Sequence, residues 1–131
     1  MQTKVSIADL PLIQGPNGAI AGRFLLEGAR FGLDHLTVVL GELAPGQSVH
    51  MHFHEYEELF IIHGGRGTFT VGATTVEAGP GDVVLIPAGV PHGFTNHTEE
   101  TWYFSGVAAA GRLVGTDLAG HRHQQPSSDT A

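Results

Sequence analysis

Between Gly46 and Glu58 the chain reads Gly-Gln-Ser-Val-His-Met-His-Phe-His-Glu-Tyr-Glu-Glu, so His50, His52 and His54 recur at every second position and a carboxylate follows. Residues two apart in an extended strand project to one face. The three imidazoles are therefore expected to share a face, with Met51 and Phe53 on the other unless the strand bulges. Neighbouring imidazoles on one face can converge on a single metal ion at about 2.0–2.1 Å. Glu58 opens the apolar run Leu59-Phe60-Ile61-Ile62 and would add a hard oxygen ligand that offsets one positive charge. Glu57 is the alternative carboxylate, but its one-residue offset turns it to the opposite face. The chain has no cysteine, which excludes thiolate zinc sites, iron–sulfur clusters, disulfides and cysteine nucleophiles. Any metal must be held by nitrogen and oxygen.

A second segment runs from Gly81 to Asn96: Gly-Asp-Val-Val-Leu-Ile-Pro-Ala-Gly-Val-Pro-His-Gly-Phe-Thr-Asn. A strand over Val83–Ile86 ends at Pro87, which cannot donate to a ladder. Gly89 allows a tight turn, and His92 stands where the chain re-enters a strand. Further short strands are predicted over Arg23–Leu26, His35–Leu40, Glu58–Ile62, Thr68–Val71, Thr74–Glu77 and Thr101–Val107. Gly72-Ala73 and Gly79-Pro80-Gly81-Asp82 read as turns between them. No sustained helical periodicity and no internal repeat is present, so one all-β sandwich or barrel is expected.

These two segments resemble the signature motifs of the cupins. Gly46, His52, His54, Glu58 and Gly65 fit the first motif, G-x5-H-x-H-x3-E-x6-G, spanning 46–65. Gly81, Pro87, Gly89, His92 and Asn96 fit the second, G-x5-P-x-G-x2-H-x3-N, spanning 81–96. The resemblance implies an antiparallel β-barrel of the double-stranded β-helix or jelly-roll type over residues 1–115. It leaves 116–131, polar after Gly120, as a mobile tail. It also implies that His52, His54, Glu58 and His92 hold one divalent transition metal (Fe, Mn, Ni, Co, Cu or Zn), while Glu58 and His50 are the expected catalytic groups. The implied function is that of a metal-dependent small cupin enzyme acting on a small oxygen-rich organic substrate, with dioxygenase chemistry narrowly ahead. Its alternatives are a zinc or Lewis-acid isomerase, polyketide cyclase or lyase, and a non-catalytic ligand-binding cupin. A homodimer is implied as well.

Thirteen acidic against six scattered basic residues give a formal charge of −7, with no basic footprint for nucleic acid or an anionic membrane. No signal-peptide core or bilayer-length apolar stretch is visible, so a soluble cytoplasmic protein is expected. Gly64-Gly65-Arg66-Gly67 lies between strands and reads as a turn rather than a phosphate loop. His63 is expected at the surface, His121 and His123 are read as incidental, and the Asn96-His97-Thr98 sequon is discounted without a secretion signal. Trp102 and Phe104 should share one face of their strand and Tyr103 the other.

Overall fold

Strict inside–outside alternation is clearest in three strands, Thr37–Leu43 (β3), Glu58–Gly64 (β5) and Trp102–Ala108 (β10), whose alternate residues are buried. That pattern is what a sheet with one covered face requires. The computed structural model describes residues 2–13, 23–117 and 122–124. The other strands are Leu12–Ile13 (β1), Arg23–Glu27 (β2), Ser48–Phe53 (β4), Gly67–Val71 (β6), Thr74–Ala78 (β7), Val83–Ile86 (β8), His92–Thr95 (β9), Val114–Asp117 (β11) and Arg122–Gln124 (β12). Two six-stranded sheets result, in the orders β1-β2-β3-β10-β5-β8 and β12-β11-β4-β9-β6-β7. Every pairing is antiparallel. The only helical pieces described are two short 3-10 turns, Ile7–Asp9 and Gly28–Phe31, and none is long and apolar enough to cross a membrane.

The two sheets share one core. Phe60, Ile62, Trp102 and Phe104 from the first meet Phe69 and Phe94 from the second. The rings pack edge-on or tilted, as in Phe94 against Trp102 at 5.7 Å and Phe60 against Phe104 at 5.5 Å, the arrangement their quadrupoles favour. Trp102 and Phe104 are buried and Tyr103 is exposed, as alternation requires. A smaller cluster of Leu25, Val39, Ala108 and Leu113, with Tyr56 packed against it, fills the barrel beside Glu58, whose partner across β5 and β10 is Ala108.

The ends of the two sequence motifs meet. Gly46 N–H donates to the Asn96 carbonyl at 2.8 Å, and Asn96 N–H donates to Gln47 at 2.9 Å. Asn96 is fully buried; its Nδ2 donates to the carbonyls of Leu43 and Glu100, and its Oδ1 accepts from Thr98 N–H and Oγ1. It is a clamp on the turn into β10, and its burial leaves no room for a glycan.

Two stretches of the expected tail take part in strands. Thr116 and Asp117 pair with Phe53 and His52 of β4, and β12 pairs with β11. An edge ladder forms through backbone hydrogen bonds and needs no apolar face, so hydropathy gives no warning of it. Residues 118–121 (with His121) and 125–131 lie outside the described residues, as do 14–22.

Candidate metal centre

The centre is built where β4 crosses β9. Ser48 and Val49 pair with Thr95 and Phe94, but the next pair is His52 with His92: three steps on β4 against two on β9. One extra residue in β4 reverses which positions face inward. Val49, packed against the aromatic core, and His52 therefore lie on the same inner side despite their odd spacing. Gly93 permits the close approach, since a Cβ there would stand 2.8 Å from the Val49 carbonyl oxygen and 3.1 Å from Met51 N.

His52, His54 and His92 gather with their nearest ring nitrogens within 4.8 Å of one another. Ring centroids are 4.4 Å apart for His52 and His92, 4.8 Å for His52 and His54, and 5.1 Å for His54 and His92. Glu58, at the first position of β5, places Oε1 3.5 Å from Nε2 of both His54 and His92. Ligand atoms at about 2.1 Å on one ion stand about 3.0–3.4 Å apart; Glu58 Oε1 lies near that spacing from His54 and His92, and the three imidazoles are close enough to converge on one ion with small ring movements. His54 is set by the turn that follows β4; its carbonyl accepts from Gly89 N–H at 2.6 Å, and the left-handed φ of Gly89 (78°) lets that loop reach it.

The rings are held in the tautomer that a ligand needs. His52 Nδ1 lies 2.8 Å from the His50 carbonyl and His92 Nδ1 lies 3.0 Å from that of Val90. A carbonyl only accepts, so both Nδ1 atoms carry the proton and both Nε2 lone pairs are left for the centre. His92 is 1% exposed, and its Nε2 has no hydrogen-bond partner among the described residues. A buried, orphaned nitrogen beside two more imidazoles and a carboxylate is an arrangement that fits a divalent cation.

Burial is the main cause holding His52 down at about 4, and the neighbouring His92 and His54 rings add to it against the opposing His50 carbonyl and Glu58. For Glu58, burial is the largest influence and pushes the carboxyl up, but the adjacent His54 and His92 rings, when protonated, together bring it down to about 2. A neutral imidazole and an ionised carboxylate near neutral pH are the states that metal ligation requires.

Of the expected site residues, the fold brings together His52, His54, His92 and Glu58. His50 is not in the cluster. It is exposed, and its backbone carbonyl, rather than its ring, reaches the site through His52. The bulge is the reason: it breaks the period of two that placed His50 with the others. Glu57 is exposed and tied through its carbonyl to Ala109 N–H. His63 is exposed with Nε2 2.6 Å from Ser105 Oγ. Tyr56 and Gly93 carry no motif signature; Tyr56 stacks on His54 with centroids 4.7 Å apart and planes at 14°.

The profile of the cupin domain matches residues 39–104, half of the chain. The protein is a cupin. It is 33% identical over 66 residues to an uncharacterized protein of Streptomyces coelicolor, a match covering 50% of this chain and 63% of that one. This cupin also resembles an uncharacterized Klebsiella pneumoniae protein with a double-stranded β-helix domain, at 19% identity and TM-score 0.65, covering 97% of this chain and 100% of the other. The oxalate decarboxylase of Bacillus subtilis, a protein with Mn(II) centres, aligns at 20% identity and TM-score 0.74 over 92% of this chain, which spans 31% of the decarboxylase. At such identities the likeness establishes a shared fold.

Proposed function

We propose that this cupin is an enzyme that uses one divalent transition metal, held by His52, His54, His92 and Glu58, on a small oxygen-rich organic molecule, with dioxygenase chemistry as the leading reaction. The observation that carries this is the buried Nε2 of His92, partnerless among the described residues and 3.5 Å from a carboxylate that also meets His54. On a six-coordinate ion, four protein ligands would leave two positions open for substrate. The imidazole–carboxylate set accepts Mn, Fe, Co, Ni, Cu and Zn, and the Mn(II) centres of the oxalate decarboxylase support a redox-active choice.

When bound, such a metal supplies Lewis acidity and, if redox-active, electrons for dioxygen chemistry. The chain supplies the rest. The carbonyls of His50 and Val90 keep the protons of His52 and His92 on Nδ1, so neither ring turns away from the centre. Glu58 places a carboxylate oxygen 3.5 Å from both His54 and His92, where it can ligate the metal or, displaced from it, accept a substrate proton. The aromatic core below Glu58 excludes water from one side of the site.

The test is metal analysis of the purified protein together with oxygen uptake on a panel of β-diketones and catechols. One equivalent of Fe or Mn with substrate-dependent oxygen consumption, lost in His92→Ala, is the expected result. A zinc-loaded protein that turns over substrate without oxygen would move the assignment to Lewis-acid isomerase, cyclase or lyase chemistry. Undiminished ligand binding by metal-free protein would make it a binding module.

A further inference from the structure

We infer that Tyr56 determines the size of the molecule admitted to the metal centre, by covering an aliphatic subsite beside it. Its role rests on the metal reading proposed above, but the observations are its own. One face of the Tyr56 ring stacks on His54, 4.7 Å away and nearly parallel. The same side chain packs against the buried cluster formed by Leu25, Val39, Ala108 and Leu113. Ala108 is the cross-strand partner of Glu58, so this aliphatic patch begins one strand away from the carboxylate of the centre. Tyr56 thus stands between a candidate ligand and an apolar cluster of the described barrel.

Among the described residues, the direction beneath Glu58 is closed. On the far side of Glu58, the positions beneath it are Phe60 and Ile62, closed over by Phe69, Phe94 and Phe104 at ring separations of 4.9–5.5 Å. A core packed to that density has no room for a substrate substituent. The Tyr56 turn is also held at both ends, through the His54 carbonyl to Gly89 N–H and the Glu57 carbonyl to Ala109 N–H. The ring is therefore a fixed wall. On this reading a small chelating head reaches the metal with Tyr56 in place, whereas a head that carries an apolar ring meets the Tyr56 side chain. Truncation of Tyr56 vacates room for about one six-membered ring and exposes aliphatic side chains to receive it.

The experiment loads the full chain with Co(II) and follows the binding of acetohydroxamate and benzohydroxamate by the visible Co(II) bands. These probes share a chelating head and differ in an apolar ring. In Tyr56→Ala, benzohydroxamate should bind at least about tenfold more tightly than to the natural protein, while acetohydroxamate stays within about threefold. Tyr56→Phe, which keeps the ring, should match the natural protein for both. If the alanine variant shows no melting transition, Tyr56→Leu decides, with a smaller gain for benzohydroxamate alone. An unchanged ratio between the two probes in a folded variant overturns the role of Tyr56 while leaving the metal centre intact. A natural protein that takes up no Co(II) overturns the metal reading and this inference together.

Discussion

Replacing Gly93 with alanine should damage the metal centre although Gly93 has no side chain to offer it. The added Cβ would lie 2.8 Å from the Val49 carbonyl oxygen, 3.0 Å from Met51 Sδ and 3.1 Å from Met51 N. Ordinary contact begins near 3.4 Å, so the backbone of β4 must retreat by roughly half an ångström. The atoms that retreat belong to the bulge immediately before His52, whose ring must stay within about 0.2 Å of its ligating distance. Overpacking of this kind costs about 1–3 kcal/mol of stability. Displacing a ligand to that extent should weaken Co(II) binding roughly 10- to 100-fold, as loss of a supporting contact does. Gly41→Ala is the control: its Cβ would press on the Phe104 ring at 2.4 Å, in the core and away from the bulge. Calorimetric titration with Co(II), together with thermal melts, separates the two effects. Both variants should melt earlier and only Gly93→Ala should lose affinity. Unaltered Co(II) affinity in Gly93→Ala would refute the idea that the bulge aims His52.

Asn96→Ala removes four side-chain hydrogen bonds around the turn into β10. It should cost about 3 kcal/mol in urea unfolding and leave Co(II) affinity within about threefold, because its partners are backbone groups and Thr98 rather than ligands; a large loss of affinity would contradict that structural role. In the chelator-treated protein, His52 gains its proton near pH 4 when folded and near 6.5 when unfolded. The unfolded chain therefore takes the proton first, and stability present above pH 6.5 is lost as the pH falls towards 4, by up to about 3 kcal/mol. Urea midpoints at pH 7 and 4.5 should show this slope in the natural protein and a shallower one in His52→Ala; equal slopes would contradict burial as its cause.

The barrel and the clustering of His52, His54, His92 and Glu58 are legible in the sequence because each leaves a periodic or punctuated trace. Glu58 was placed by the alternation of Glu58–Ile62, and His92 by the Pro87, Gly89 and Asn96 frame. His50 was misplaced because a period of two holds only in an unbroken ladder, and one inserted residue reverses it. Nothing in Val49-His-Met-His52 marks the insertion; the partner strand does, since Gly93 is the residue that lets β4 approach. Strands β11 and β12 were missed for a related reason, being held by backbone pairing at a sheet edge without an apolar pattern. Tyr56 was silent because stacking on His54 depends on a turn whose path is set by Gly89 and Ala109, distant in sequence.

The central claim is that His52, His54, His92 and Glu58 share one ion. Metal stoichiometry and X-ray absorption on the loaded protein test it most directly. The expected result is one metal per chain with three imidazole nitrogens and a carboxylate oxygen at about 2.0–2.2 Å, and loss of that metal in a His92→Ala variant that still folds. A loaded protein whose metal keeps the same coordination shell and occupancy after His92→Ala would contradict it.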